Sequence, residues 1–328
     1  MILVCGEALI DLFVGPPEGT EMPARAVAGG SPFNVAIGLA RQGARSAFLG
    51  GISRDRFGVL LADILAREGV DTRFIVRTDR LSTLSAIATA PDGQPSYSFH
   101  GELAADRSLA AEDLPARLPD EVRALTFGSY TMVVEPVGSA YAMLAEREKG
   151  RRVISVDPNV RPTVISDMKR WGAAAERFYR CATLVKASDE DVRAAFGPGT
   201  ALADAAAYWR GYGAKLVVIT RGAEGAIAFG AAGTLEVPGR KVSVRDTVGA
   251  GDTFHAALLA RLAATGRLDE AAIAGLDREA LGDLLAYATA AASVTITRRG
   301  ADLPHRTDVE AVLAQDAASP CAVNCGLA

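Results

Sequence analysis

The sequence predicts an α/β fold in which helices cover both faces of a mostly parallel, doubly wound sheet. Two observations predict it. Short apolar runs, which are typical of buried strands, alternate along most of the chain with segments of helical periodicity. This alternation favours parallel strands joined by right-handed crossovers. In addition, a turn of small residues precedes a helix near the C-terminal end of the chain. In such folds, ligands bind at turns of this kind beyond the carboxyl ends of the strands.

The elements follow from the two periodicities. Strands are predicted at 2–5, 46–50, 84–90, 96–100, 124–127, 153–156, 183–186 and 216–220, with a further strand-rich stretch at 225–244. Helices are predicted at 33–42, 57–65, 136–149, 169–180, 189–196, 201–211, 250–264 and 279–296. The strands at 84–90 and 96–100 are separated by the turn Pro91-Asp92-Gly93-Gln94. This hairpin interrupts the alternation, so we expect it to leave the main sheet.

Composition narrows the class of protein. The chain has 328 residues, of which 49% are hydrophobic, so it can bury a large core. Its net charge of −4 argues against a dedicated nucleic-acid binder. Four scattered cysteines without a CxxC pair argue against a disulfide framework and suit a reducing compartment. Neither a signal peptide nor an apolar run of the ~20 residues of a membrane span is recognisable. We therefore expect a cytoplasmic protein with no nucleic-acid or membrane partner.

The strongest chemical signal is the run Thr247-Val-Gly-Ala-Gly-Asp252-Thr-Phe, which opens the helix predicted at 250–264. Small residues at such a turn expose backbone N–H groups at the positive end of the helix dipole, where phosphate binds. A carboxylate beside bound phosphate is unfavourable unless it accepts a proton from an attacking hydroxyl group, which is the role that we predict for Asp252. On spacing alone, an ordinary helix start with aspartate in its first turn explains the pattern at least as well.

Other nucleotide-binding signatures are absent from the sequence. A dinucleotide fingerprint would need glycine at the position of Phe254, a Walker A loop would need a Gly-Lys pair, and neither HRD nor DFG occurs. The three histidines, His100, His255 and His305, lack metal-ligand spacing. We interpret them as structural or surface residues.

Two separated signatures resemble those of the ribokinase-like, phosphofructokinase-B sugar kinase family. The first is Gly29-Gly30-Ser-Pro-Phe-Asn34-Val-Ala-Ile-Gly-Leu-Ala-Arg-Gln-Gly43, and the second is Asp246-Thr-Val-Gly-Ala-Gly-Asp252. The resemblance covers about residues 1–310 and is closest to bacterial fructokinases. The runs that carry this closer resemblance start at Gly6, Asp157, Lys186 and Arg298.

The resemblance implies four sets of site residues. The predicted catalytic residues are the base Asp252 and the anion-hole amides of Gly249, Ala250 and Gly251. The predicted sugar-binding residues are Asp11, Gly30, Asn34 and Arg161. The predicted nucleotide-binding residues are Lys186, Asp189, Thr220, Gly222 and Gly225. A monovalent cation is expected at Asp246, Val248 and Gly300.

Several of these positions also have simpler explanations. Without the resemblance, Asp11 is a turn residue, Asn34 resembles a helix cap, and Arg161 could form a surface ion pair. The loop at 220–225 could be a plain turn between strands. Lys186 and Asp189 stand where the family has Asn-x-x-Glu, as in its fructokinase-like members, and this departure leaves the handling of magnesium open.

The activity implied is the transfer of phosphate from ATP to D-fructose to give fructose 6-phosphate, with Mg²⁺ and in some members K⁺. Acceptors that remain open are 2-keto-3-deoxygluconate, ribose and nucleosides. A non-catalytic binding protein on the same scaffold and a dinucleotide oxidoreductase are weaker alternatives. The resemblance also allows a homodimer.

The domain organisation that we predict is a single kinase domain over residues 1–315. A small β lid, built from about 12–28 and the hairpin 84–100, should close over the sugar and exclude water. Residues 316–328 should form a peripheral tail, in which the role of Cys321 and Cys325 stays open.

Overall fold

The computed structural model describes residues 1–89 and 95–318. The predicted turn Pro91–Gln94 and the tail from residue 319, with Cys321 and Cys325, lie outside the described residues. The strands are β1 Ile2–Cys5, β2 Leu9–Val14, β3 Ala24–Gly29, β4 Ser46–Leu49, β5 Gly51–Ser53, β6 Val76–Thr78, β7 Leu84–Thr89, β8 Pro95–His100, β9 Ala124–Gly128, β10 Val153–Asp157, β11 Leu184–Ser188, β12 Leu216–Thr220, β13 Ala226–Gly230 and β14 Gly233–Val237. The helices are α1 Ser31–Arg41, α2 Arg56–Arg67, α3 Val137–Glu148, α4 Met168–Tyr179, α5 Asp189–Phe196, α6 Leu202–Gly211, α7 Ala250–Ala264, α8 Glu270–Ala274, α9 Arg278–Ile296 and α10 Arg306–Ala318.

Eight strands form the main sheet in the order β14-β13-β12-β11-β10-β9-β1-β4. The strands β12, β11, β10, β9, β1 and β4 of this sheet are parallel to one another, and its β12–β13 and β13–β14 pairs are antiparallel. Alternate side chains of one strand enter two cores: Ile2 and Val4 pack with α1, α7 and α9, whereas Leu3 and Cys5 pack with α3 and α4. The predicted doubly wound fold, with helices on both faces, is therefore confirmed.

The segments that we assigned to a lid form a separate four-stranded sheet in the order β3-β2-β7-β8. Strand β2 pairs with β3 in antiparallel and with β7 in parallel fashion, so Asp11 lies between Val27 and Ser85. Burial falls along β2 after Ile10, because the strand leaves the main core there. Closure of this sheet over a substrate stays a prediction.

The structure differs from the sequence predictions mainly at short or peripheral elements. The strand-rich stretch at 225–244 ends as β14 at Val237, and irregular backbone follows. Strands β5 and β6 have three residues each, too few to show a period. Helix α10 continues to Ala318, so the tail predicted from residue 316 begins inside a helix. None of the helices in the described ranges is long and apolar enough to cross a membrane.

Candidate active site

The candidate site lies where the N-termini of α1 and α7 meet beyond the carboxyl ends of the parallel strands. Each helix follows a glycine that the local backbone requires. Gly30 has φ 109°, and a Cβ there would lie 2.9 Å from the carbonyl oxygen of Glu7. Gly249 has φ 78°, and a Cβ there would lie 2.7 Å from Cβ of Ala301. Since side chains at these angles are strained, the two glycines allow both helices to start at the cleft.

Asp252, in the first turn of α7, is held by two donors from the first turn of α1. The hydroxyl of Ser31 donates to its Oδ1 at 2.6 Å, and Nδ2 of Asn34 donates to its Oδ2 at 2.8 Å. Burial raises the pKa of the Asp252 carboxyl, while these hydrogen bonds and the Lys186 ammonium oppose that rise. Each carboxylate oxygen keeps a second lone pair, so Asp252 can still accept a proton.

The backbone amides before and within this turn are mostly free to bind an anion. The amide of Ala250 donates to the carbonyl oxygen of Thr247 at 3.2 Å, so it is already engaged. The amides of Gly249 and Gly251 have no acceptor within residues 1–89 and 95–318, and the same holds for that of Asp252. The structure therefore favours an anion site that includes the Asp252 amide, which the sequence prediction did not name.

A buried ion pair lies directly below this turn. Nζ of Lys186 is 2.8 Å from Oδ2 of Asp157, and both side chains are at most 5% exposed. A Cβ on Gly251 would lie 3.2 Å from the same Nζ, so the lysine is next to the helix start. Burial lowers the pKa of Lys186, but the charges of Asp157, Asp191 and Asp252 outweigh it and raise the pKa overall, so the ammonium group stays charged.

His255 follows Asp252 by one helical turn and is a structural residue. It is buried, its Nε2 lies 2.8 Å from Oγ of Ser155, and its Nδ1 lies 3.6 Å from Oδ2 of Asp157. Burial, followed by the Lys186 charge, lowers its pKa to about 3, so the imidazole is neutral. It fixes α7 against β10, which agrees with its interpretation as a structural histidine.

The predicted sugar residues Asp11 and Arg161 lie close enough to Asp252 for the three charges to interact. Burial raises the pKa of Asp11, while a hydrogen bond from Ser85 and the Arg161 charge lower it and the Asp252 charge raises it further. A Cβ on Gly29 would lie 2.4 Å from Oδ2 of Asp11, so a glycine is needed beside it. Arg161 is exposed, and Nη1 donates to the carbonyl oxygen of Val160 at 3.1 Å, which leaves most of its guanidinium free.

Two acidic residues of α5 differ in their environment. Asp189, the predicted site residue, forms an ion pair of 2.8 Å with Arg193 of its own helix. Asp191 is buried, accepts a hydrogen bond of 2.7 Å from the amide of Val160, and acts on Lys186. The structure therefore joins Asp191, rather than Asp189, to the charged network below α7.

The predicted nucleotide loop joins β12 to β13. Thr220 ends β12, and its Oγ1 donates to the carbonyl oxygen of Ala187 at 3.4 Å. Gly222, with φ 54°, begins a single turn of 3₁₀-helix, and Gly225, with φ 92°, follows that turn. A Cβ on Gly225 would lie 2.1 Å from the carbonyl oxygen of Val237, so the loop packs closely on the strand beside it.

The predicted cation residues connect two loops. Oδ1 of Asp246 accepts from the amide of Val248 at 3.1 Å, and Oδ2 accepts from the amide of Gly300 at 2.8 Å. The part of the chain that the structure describes holds no group of three or more His, Cys, Asp or Glu side chains arranged for a metal ion.

Glu7 is a buried acid for which the sequence predicts no role. Thr131 Oγ1 donates to its Oε2 at 3.1 Å, and its backbone carbonyl is the group that excludes a side chain at Gly30. Burial raises the pKa of Glu7 to about 7. Hydrogen bonds from the hydroxyls of Ser129 and Thr131 lower this pKa, whereas the Asp106 charge adds to the rise. Glu7 thus supports the loop that leads into α1.

Known proteins share this architecture over nearly the whole chain. Residues 1–308 match the pfkB family carbohydrate kinases. A fructokinase of Rhizobium leguminosarum bv. trifolii is 42% identical over 86% of this chain and 85% of its own length. The crystal structure of a fructokinase with bound ATP from Xylella fastidiosa is 28% identical, with TM-score 0.86 over 96% of this chain and 98% of that one.

A second solved structure contains a sugar and a nucleotide together. It is a fructokinase from Vibrio cholerae O395 in a fructose-, ADP- and calcium-bound form, 27% identical, with TM-score 0.79 over 95% of this chain and 98% of that one. The match across residues 1–308, together with the 42% identity to a curated relative, decides the classification. This chain belongs to the pfkB family of carbohydrate kinases.

Proposed function

We propose that this chain is a fructokinase that transfers the γ-phosphoryl group of ATP to the 6-hydroxyl of D-fructose. The observation that carries the proposal is the position of Asp252, a carboxylate held by Ser31 and Asn34 at a helix N-terminus with free amides. The 42% identity to a fructokinase, and the fructose and ADP bound to a structural relative, support the choice of substrates.

In the proposed reaction the 6-hydroxyl oxygen attacks the γ-phosphorus while its proton passes to Asp252. The bond from the γ-phosphorus to the β,γ-bridging oxygen breaks, and ADP leaves. The free amides of Gly251 and Asp252 stabilise the charge on the transferring group, and the Lys186 ammonium lies close enough to add to the field. Asp11 and Arg161 would orient the sugar through its other hydroxyls.

ATP would enter as its magnesium complex, because Mg²⁺ is usually held by substrate phosphates and few protein carboxylates. Bound Mg²⁺ would neutralise phosphate charge. Asp157 would bind this Mg²⁺ directly or through a water molecule, since its Oδ1 is buried without a hydrogen-bond partner in the described ranges. The use of ATP as donor also suits the cytoplasmic location that we propose.

A coupled ADP-release assay tests the proposal against the remaining acceptors. The panel contains fructose, 2-keto-3-deoxygluconate, ribose, a nucleoside and no acceptor. We expect the highest kcat/KM with fructose and negligible ADP release without acceptor. A tenfold preference for another acceptor, about 1.4 kcal/mol of transition-state discrimination, would move the assignment to that substrate. No acceptor-dependent release from any sugar would instead support a binding protein.

A further inference from the structure

A cavity of about 420 Å³ lies at the amino ends of strands β9 and β10, whereas the candidate active site lies beyond the carboxyl ends of the parallel strands. Its wall includes Arg123 and Arg152, which immediately precede β9 and β10. Asp157, which belongs to the candidate site, ends β10. Five residues of strand span roughly 16 Å, so the cavity is separated from the site by the depth of the sheet.

The cavity wall is strongly basic in a chain whose net charge is −4. Its arginines are Arg117, Arg123, Arg147, Arg151 and Arg152. Two carboxylates line it as well, Asp120 and Glu148, so the balance is five positive charges against two negative ones, or +3. This excess favours an anionic ligand.

Part of this basic set has a structural task. Glu148 is 5% exposed and accepts from Nε of Arg147 at 3.0 Å and from Nε of Arg152 at 2.9 Å. Arg152 also donates to the carbonyl oxygens of Leu118 and Val122. These contacts tie the segment before β9 to the C-terminal end of α3, and they account for Arg152 completely.

Two other arginines are not accounted for in this way. The side chains of Arg123 and Arg151 line the cavity, are exposed and have no acceptor in the part of the chain that the structure describes. The negative end of the α3 dipole would favour an arginine at the C-terminus of that helix. Arg123 instead precedes strand β9, so the dipole does not explain its position. Nη2 of Arg147, in the same wall, is buried with no partner among the described residues. The wall therefore keeps guanidinium donors that no protein group uses.

We propose that this cavity binds the phosphate group of a small metabolite, with Arg123 and Arg151 as its principal ligands. Guanidinium groups match phosphate oxygens with paired hydrogen bonds. The volume lies within the usual ~300–1,000 Å³ of small-ligand sites. A concave wall on a net acidic chain does not offer the extended basic face that a nucleic acid requires. The phosphate can belong to a sugar ester, to a nucleotide or to inorganic phosphate.

Isothermal titration calorimetry on the full chain tests this site separately from the catalytic one. The protein is first saturated with fructose and a non-hydrolysable ATP analogue. Fructose 1,6-bisphosphate, AMP and inorganic phosphate are then titrated in separate experiments. We expect one probe to bind with 1:1 stoichiometry and a Kd below about 1 mM, and the order of the three affinities identifies the source of the phosphate.

The double variant Arg123→Ala/Arg151→Ala should weaken that binding at least about tenfold. Because both side chains are exposed, the variant should keep the wild-type Tm and the wild-type kcat for fructose. The matched control Arg56→Ala/Arg210→Ala removes two exposed helical arginines away from the cavity and should bind as the wild type does. Failure of all three probes to saturate, or equal binding by the cavity variant and the wild type, would overturn the proposal.

Discussion

The hydroxyl of Ser31 donates a 2.6 Å hydrogen bond to Oδ1 of Asp252, although 221 positions separate the two residues. The bond joins the first turns of α1 and α7, and Asn34, in the same turn of α1, reinforces it with a second hydrogen bond of 2.8 Å to Asp252. These two hydrogen bonds orient the Asp252 carboxylate without a bound substrate. The segment that contains the predicted sugar residues Gly30 and Asn34 is thus coupled to the proposed base.

Replacement of Ser31 by alanine should shift the pH profile of catalysis. The Ser31 hydrogen bond opposes the rise in the pKa of Asp252, so its loss should raise that pKa further. A hydrogen bond to a charged group contributes about 1.5–3 kcal/mol, which corresponds to about 1–2 pH units. Because the base must be deprotonated, the acid limb of kcat/KM should move to higher pH by that amount. Ser139→Ala, on the surface of α3, should leave the limb in place.

Replacement of Glu7 by glutamine should make the chain more stable at alkaline pH. The pKa of Glu7 in the folded chain is about 7 against an ordinary 4.5, so the folded state binds this proton more tightly than the unfolded one does. Stability is therefore lost as the pH rises from about 4.5 through 7. Between pH 5 and pH 8 the wild type should lose about 2–3 kcal/mol relative to Glu7→Gln.

Urea unfolding at both pH values measures this difference. Glutamine can still accept the Thr131 hydrogen bond, so the fold should survive. The exposed Glu112 provides the matched control, because Glu112→Gln should change the free energy of unfolding by less than about 0.5 kcal/mol at either pH. A difference between Glu7→Gln and the wild type that does not change with pH would show that Glu7 does not titrate in this range.

The sheet β3-β2-β7-β8 should exchange its amide hydrogens faster than the main sheet. Strand β12 is buried from Leu216 to Ile219, whereas most described side chains of β7 are only half-buried. Low burial favours local opening. Hydrogen exchange should therefore be faster in 84–89 than in 216–220 and should slow in 84–89 when fructose binds. Equal protection of the two strands without ligand would contradict a lid.

Potassium should activate the enzyme by organising the loop that precedes α7. Asp246 already connects the amides of Val248 and Gly300, and a cation on this loop would stiffen the same connection. Arg298 is engaged by Asp308 at 3.0 Å, so its charge is not free to replace the cation. We expect kcat to be at least about fivefold higher in potassium than in tetramethylammonium buffer at equal ionic strength. Equal rates in the two buffers would reject the cation site.

The sequence predicts the main sheet well because its parallel strands are buried on both faces. Such strands are apolar runs with clear ends, as at Leu216–Thr220. Strands β5 and β6 are too short to carry a period. Among the α10 side chains that the structure describes, only Val309 is fully buried, so these three elements have no strong pattern. A resemblance to known signatures can direct attention to Asp252, but spacing alone cannot separate a base from a helix cap.

Contacts within the site depend on tertiary structure that local pattern does not contain. Lys186 and Asp157 pair across neighbouring strands, and the sequence offers no sign of their pairing. Helix α5 begins with three consecutive acids, and the sequence cannot decide which of them faces inward. The hydroxyl and amide of Ser188 turn Asp191 toward the core by a capping box, which leaves Asp189 to pair with Arg193 outside it.

The kinetics of Asp252→Asn test the central claim most directly. Asparagine is nearly isosteric and can still accept the Ser31 hydrogen bond, but it cannot take up the proton of the attacking hydroxyl. General-base catalysis contributes about 10²–10⁴-fold, so kcat for fructose should fall by that factor. Loss of a negative charge beside the phosphate site should leave ATP affinity unchanged or tighter, as calorimetry on the same preparation would measure. A variant that keeps more than about a tenth of the wild-type kcat would contradict Asp252 as the base.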